Sequence, residues 1–448
     1  MYKSFFYICL LLPFFLVVTG CNDSSDDTHA ESSLTMGLIF PLSDPKGKPR
    51  HHAALLASQH LTGAGYPIKT VVADSGLSPF VGVEAARKLV ENGNAKVLIG
   101  ASSSSVTMEI AEWVSIPNKI PQISYASTSP EITDLEEDDN GDGFLFRTAP
   151  SDKLQGAVLA YLAKEIKGYD KVAIVYRQDS YGENLSSIFR NEFQSRGGIV
   201  DVEISHEAYS SGDFDLDSRI KEDFSVFSRN FSTDLDAIVV VSYKAESDIY
   251  VKLALEEKSF QGIEFLFVDG NKGITIFADG FDKHKLDDMC GTISSKESQD
   301  DYQLFEEEYE GSFGSLGDWT YLPNTYDAVI VAGLAAYSAT QKNNGKEIKP
   351  IDISEQLGVV AGPPGIRVGP GADNIRKALK LLDKGESINY DGASSSIDFN
   401  NNGDLIAAPF EIWCYNNGQI KTTHICEVTD AIVPEQVDCK KLTATSQQ

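Results

Sequence analysis

Beyond residue 34 the chain alternates short, unbroken apolar runs with longer amphipathic segments, and few architectures accept that alternation. "MGLIF" (36–40), "IKTVVAD" (68–74), "KVLIG" (96–100) and "IPQISYAS" (120–127) read as strands. Between them, "HHAALLASQHL" (51–61), "VGVEAARKLVENG" (81–93) and "VTMEIAEWVS" (106–115) read as helices. The alternation restarts after residue 150. "KLQGAVLAYLAKEIKG" (153–168), "GENLSSIFRNEFQSRGG" (182–198) and "ESDIYVKLALEEKSF" (246–260) read as helices. "KVAIVY" (171–176), "IVDVEIS" (199–205), "DAIVVVSY" (236–243) and "EFLFVDG" (264–270) read as strands. Continuous apolar strands are buried on both faces, which calls for helices on either side of a parallel sheet. The expected class is α/β, with two doubly wound parallel-sheet lobes joined by a hinge. The length of 448 residues suits two or three domains.

The first crossover is expected near "FRTAPSD" (146–152). The helical segments 325–340 and 374–385 should complete the first lobe. "GASSSIDFNNNGDLIAAPFEIWCYNNGQI" (392–420) reads as strands with Asn/Gly/Asp turns, and its latter part should return to the second lobe. The first lobe is thus expected at 34–149 plus 292–408, and the second at 150–291 plus 409–448.

The first residues follow another rule. "MYKSFFYICLLLPFFLVVTGC" carries one positive charge, Lys3, then an apolar run from Phe5 to Val18, then small residues and a cysteine. That is the layout of a signal peptide, expected over 1–20. The run is shorter than the ~20 residues of a membrane span, and no other stretch approaches that length. Val18-Thr19-Gly20-Cys21 resembles a bacterial lipobox, which implies cleavage before Cys21 and a lipid anchor on it; the alternative is an ordinary thiol. Residues 21–33 are polar and acidic, as in a disordered tether.

An exported chain favours disulfides among Cys290, Cys414, Cys426 and Cys439. Four cysteines allow three pairings. Cys414 and Cys426 flank "YNNGQIKTTHI", which reads as a hairpin, so Cys414–Cys426 with Cys290–Cys439 is the expected pattern. No CxxC knuckle supports a zinc site. The formal net charge of −28 repels nucleic acid and anionic lipid surfaces.

A row of four serines, 102–105, follows the strand that ends at Gly100. In open α/β sheets, ligands bind beyond the carboxyl ends of the strands, where helix N-termini favour anions. A serine at that junction can cap the helix or donate to a ligand carboxylate. The next strand ends in Ala126-Ser127-Thr128-Ser129, so two neighbouring strands would present one concave set of uncharged donors. Such donors suit a carboxylate held reversibly.

"GASSSSVT", "PQISYASTSPEIT", "FLFRTAPSDKLQG", "VAIVYRQDSYGENL" and "NTYDAV", in this order, resemble the type I periplasmic solute-binding proteins. The group they resemble most is that of the branched-chain amino-acid (Leu/Ile/Val)-binding proteins of ABC importers. The similarity runs from Leu34 to Gly418. It implies the two-lobed periplasmic binding protein type I fold, no enzymatic activity, no cofactor, an ABC permease as partner, and a small amino-acid-like ligand. It also implies site residues. Ser104 would contact the ligand carboxylate, and Ala126, Ser127 and Thr128 would grip its amino and carboxylate groups. Tyr181 and Tyr243 would line the second lobe, and Asp269 in "FVDGNKG" would take the ammonium. The plainer alternatives are a turn-forming aspartate and two core tyrosines.

Two segments depart from that pattern. "PLSDPKGKPRHHAALL" (41–56) carries Lys48, Arg50, His51 and His52 where the family places an aromatic residue. A cationic rim would tolerate a polar or acidic side chain, or a second carboxylate; a solvated loop is the alternative. "DLEEDDNGDGF" (134–144) aligns Asp138, Asn140 and Asp142 like the start of a calcium loop, but its twelfth position is Ala149 rather than glutamate. No nucleophile elbow, HExxH or Walker loop is present. A binding lipoprotein is therefore expected, with a non-transport regulatory lipoprotein acting on a cell-envelope partner as the alternative. Asn22, after the lipidated cysteine, would suit the latter.

Overall fold

The computed structural model describes residues 34–138, 143–209, 215–232, 234–273, 280–296, 299–429 and 437–442. The expected signal segment, Cys21 and the tether lie outside them, as do Asn140, Asp142 and the side chain of Asp138.

Five parallel strands build the first sheet: β1 (Leu34–Phe40), β2 (Ile68–Asp74), β3 (Val97–Ile99), β4 (Gln122–Ser124) and β5 (Leu145–Arg147), in the order β2-β1-β3-β4-β5. They are joined by α1 (Gly47–Gly63), α2 (Pro79–Glu91), α3 (Ser104–Ile110), which passes through a π turn into α4 (Ile116–Asn118), and α5 (Glu131–Asp138). Alternate residues of β1 serve opposite cores. Met36, Leu38 and Phe40 join the cluster under α1, while Ile39 packs with Leu98, Val106 and Ile110. Burial of both faces is why the strand is apolar but for Thr35.

The chain then crosses at 148–151 and builds a second sheet. Its helices are α6 (Asp152–Tyr161), α7 (Ser180–Ser195), α8 (Leu216–Asn230) and α9 (Lys244–Glu256). Its strands are β6 (Lys171–Gln178), β7 (Ile199–Glu207), β8 (Ala237–Val241), β9 (Glu264–Phe267) and β10 (Cys290–Ser294), mutually parallel in the order β10-β9-β8-β6-β7. A return segment packs on the first lobe: α10 (Gln299–Phe313), α11 (Leu322–Lys342), α12 (Pro350–Val360), α13 (Ala372–Asp383), and the pair β11 (Ile366–Val368) and β12 (Ile388–Tyr390). The chain ends on the second sheet with antiparallel β13 (Ala407–Asn416), β14 (Gln419–Thr429) and β15 (Asp438–Lys441).

Three expectations need correction. Residues 292–294 and 407–408 pair within the second sheet, in β10 and β13, rather than completing the first lobe. Residues 392–405 form two isolated bridges rather than strands. The buried Asp327 carboxylate accepts from the N–H groups of Ala393 and Ser394, both at 2.8 Å, which removes the donors a ladder would need.

The disulfides are Cys290–Cys414 and Cys426–Cys439, not Cys414–Cys426 with Cys290–Cys439. Strand register decides this. The hairpin sets Cys414 opposite Lys421 and Cys426 opposite Phe410. The two cysteines are thus four positions apart along the ladder, roughly 13 Å at strand rise. Each instead faces a cysteine on its other neighbour: Cys290 across β10 and β13, Cys439 across β14 and β15.

Candidate functional site

A cleft of about 700 Å³ lies between the two lobes, lined by Lys46, Tyr243, Glu246, Asp269 and Thr320 among others. On the first-lobe wall the serine row is divided among four tasks. Ser102 Oγ accepts from Arg50, and the Tyr243 hydroxyl of the opposite lobe lies against Ser103. Ser104 Oγ accepts from the N–H groups of Thr128 and Ser129, both at 3.2 Å, tying the loop after β3 to the loop after β4. Ser105 Oγ meets Ser103 Oγ at 3.2 Å. No serine caps α3: Ser103 stands at the cap position without a side-chain bond to a backbone N–H of the helix. Competing partners on neighbouring loops of the first lobe, and Tyr243 from the other, draw these hydroxyls away from the helix N–H groups.

Of the remaining first-lobe expectations, Thr128 and Ala126 sit on the same loop as the amides held by Ser104. Thr128 Oγ1 donates to Asp152 Oδ2 at 2.8 Å. Ser127 turns inward, fully buried, with its Oγ at 2.8 Å from Thr107 Oγ1. Its hydroxyl braces the loop from beneath. Below the loop, Arg147 donates to Asp404, to the Ser129 carbonyl and to Thr133 Oγ1.

On the second-lobe wall the three expected residues come together. Asp269 follows β9 in a turn fixed by Asn271, whose Oδ1 accepts from Val268 N–H at 2.8 Å and whose amide donates to Val240 O at 2.7 Å. The Tyr181 hydroxyl donates to Asp269 Oδ1 at 2.7 Å. Gly270 permits this approach, since a Cβ there would stand 2.7 Å from the Tyr181 oxygen. Tyr181 and Tyr243 stack with centroids 5.5 Å apart. The Arg177 guanidinium lies 3.9 Å from the centroid of the Tyr243 ring, and its own charge is met by Asp179 and Glu246.

Four residues reach the site that motif spacing did not single out. Gln155 Nε2 donates to Asp269 Oδ1 at 3.1 Å, and the Tyr321 hydroxyl to Oδ2 at 2.7 Å. Asp152 is fully buried, and its Oδ1 has no hydrogen-bond partner among the described residues. Burial first, and the neighbouring Asp269 charge second, raise its carboxyl well above the usual range. Lys46 Nζ lies 4.1 Å from the Tyr243 centroid across the cleft, and burial lowers its pKa to about 8. Burial and the Asp269 charge push the Tyr181 and Tyr321 hydroxyls far up, so both remain donors. Asp152 lies in the quoted "FRTAPSD" stretch; Tyr321 stands just before "NTYDAV", and only the fold aims it at the cleft.

Charge at this site is unbalanced in one place. Among the described residues, three arginines are buried. Arg147 has Asp404, and Arg177 has Asp179 and Glu246. Arg50 has only neutral acceptors: Ser102 Oγ, the Thr320 carbonyl at 3.2 Å and Thr320 Oγ1 at 3.3 Å. The helix expected from residue 51 begins at Gly47, so Arg50 lies in the first turn of α1, where it is buried. His51 and His52 pack on Phe40 and Phe313, and Lys48 faces solvent. The arrangement offers hydroxyls, amides and a cation on one wall and carboxylates on the other. It can hold a small molecule bearing both charges.

The sequence matches the receptor family ligand binding region over residues 50–418. The chain belongs to that family. Among relatives of this ligand-binding region, metabotropic glutamate receptor 4 of Macaca fascicularis is 36% identical over 121 residues, 26% of this chain and 12% of the receptor. An amino acid binding protein of Pseudomonas aeruginosa is 27% identical over 201 residues, 43% of this chain and 51% of that protein. The chain thus spans a small part of the receptor and about half of the bacterial relative. The solved structure of a leucine binding protein of Thermotoga maritima superposes with a TM-score of 0.66 at 20% identity, covering 88% of this chain and 98% of that one. The fold is that of the type I periplasmic binding proteins.

Proposed function

We propose that this member of the family is an exported solute-binding lipoprotein, anchored through Cys21, that captures a small amino acid with an acidic side chain for an ABC permease. Arg50 carries the reading. A buried guanidinium without a counter-charge costs several kcal/mol, and an anionic ligand group would offset that cost. Lys46 would add a second positive charge at the cleft. Asp269 would take the ammonium, while the serine row would take the α-carboxylate: Ser104 Oγ accepts from the Thr128 and Ser129 amides and keeps its own proton to donate. Closure would be a hinge motion at the crossovers. Among the described residues the site holds donors and charges but no activated nucleophile, which favours capture over catalysis. The glutamate and amino-acid binding in the names of the two relatives supports the same ligand class.

Isothermal titration of the purified protein against the twenty amino acids tests this. Binding of glutamate or aspartate, abolished by Asp269→Ala, is expected. Preference for leucine or isoleucine would overturn the acidic-ligand reading. No binding to any amino acid, together with co-purification of a cell-envelope enzyme, would favour the regulatory lipoprotein that Asn22 suggests.

A further inference from the structure

The ammonium acceptor is tied to the opposite lobe before any ligand is considered. Tyr321 belongs to the first lobe: its ring sits in that lobe's core, one residue before α11. Asp269 belongs to the second, at the end of β9. The Tyr321 hydroxyl crosses the cleft and donates to Asp269 Oδ2 at 2.7 Å, with both residues buried. The tyrosine reaches this position from a left-handed backbone, φ 63°. That conformation is uncommon for a bulky residue and is kept when the surroundings over-determine it. Here Arg50 fixes the preceding residue through both Thr320 oxygens, and Thr325 Oγ1 donates to the Tyr321 carbonyl at 2.7 Å.

Resting on the proposed amino-acid reading, we infer that Tyr321 is a positioning residue that clamps the two lobes through Asp269 and sets how many contacts the ligand nitrogen can make there. A carboxylate offers about four acceptor sites. Tyr181, Gln155 and Tyr321 occupy three. One site remains for the ligand on Asp269, so its nitrogen must complete its bonding elsewhere. The same hydroxyl favours the closed arrangement in the free protein, because opening the lobes would give up a hydrogen bond to a charged group in exchange for hydration.

The test is Tyr321→Phe in the full chain, read by small-angle scattering of the ligand-free protein and by titration with L-glutamate. The ring and backbone are conserved, so the melting profile checks folding. A larger radius of gyration and about tenfold weaker glutamate binding are expected, the loss typical of a hydrogen bond to a charged group. Asp269→Ala removes the bond from the other side, and should expand the free protein as much as the double variant does. An unchanged radius in both single variants would overturn the clamp. If the radius shifts but neither wild type nor variant binds glutamate, the clamp stands and the ligand assignment fails.

Discussion

Thr128 and Asp152 bond each other twice: the Thr128 hydroxyl donates to Asp152 Oδ2 at 2.8 Å, and the Asp152 N–H donates to the Thr128 carbonyl at 2.8 Å. The first bond links the strand-end loop of the first lobe to the first residue of α6, just past the first crossover. The loop that would hold a ligand carboxylate is therefore mechanically continuous with the hinge.

The buried Asp152 makes stability depend on pH. Its folded pKa lies above the unfolded value, so the folded chain keeps a proton that the unfolded chain has released. Stability from this group is present below about pH 4 and declines as pH rises toward the folded pKa. Thermal unfolding of the ligand-free protein across pH 4 to 8 should show a shallower decline in Asp152→Asn than in wild type. An identical pH profile for the two proteins would refute the assignment.

Arg50 separates affinity from stability. Replacing it by Met removes an uncompensated buried charge together with the bonds that hold Thr320 and Ser102, and because these effects oppose each other the melting temperature of the ligand-free protein should change little. Binding of an acidic amino acid should fall by about 100-fold, the upper range for a charged hydrogen-bonded contact. Differential scanning calorimetry and titration on one preparation decide it. A large drop in melting temperature would mean that Arg50 serves the fold instead.

Lys46 should give binding an alkaline limit. Its pKa of about 8 means that the charge fades as pH passes that value. Affinity for glutamate should therefore weaken between pH 7 and 9, and Lys46→Met should bind more weakly but with a flat profile over that range. A wild-type profile without this slope counts against a cationic role for Lys46.

The disulfides should differ in weight. Cys290–Cys414 closes 124 residues of chain and Cys426–Cys439 closes 13. On chain-entropy grounds the first should contribute about 5 kcal/mol and the second about 3 kcal/mol. Peptide mapping without reduction should recover these two pairs, and a Cys290→Ala, Cys414→Ala double variant should melt lower than Cys426→Ala, Cys439→Ala.

Much of this architecture was legible in the chain. Runs such as 172–175 and 237–241 are apolar at every position because the sheets are covered on both faces, and that pattern is local information. The loops after β3 and β4 were legible for the same reason: a strand end rich in Ser and Thr marks the mouth of an open sheet. Tyr181, Tyr243 and Asp269 came from the family pattern, and the fold brings all three to one wall.

What remained hidden depends on residues far apart in the chain. The pairing of Cys290 with Cys414 follows from the strand order β13-β10, which no spacing encodes. Arg50 reads as one charge among several in a basic stretch, and only its place on α1 beneath Thr320, 270 positions later, buries it. Tyr321 bonds Asp269 across 52 positions and two lobes. Local propensity determined the strands, the helices and the chemistry of the loops. The charge balance of the cleft was decided by tertiary packing, because burial removes water, and whether a carboxylate then faces an arginine depends on the whole fold.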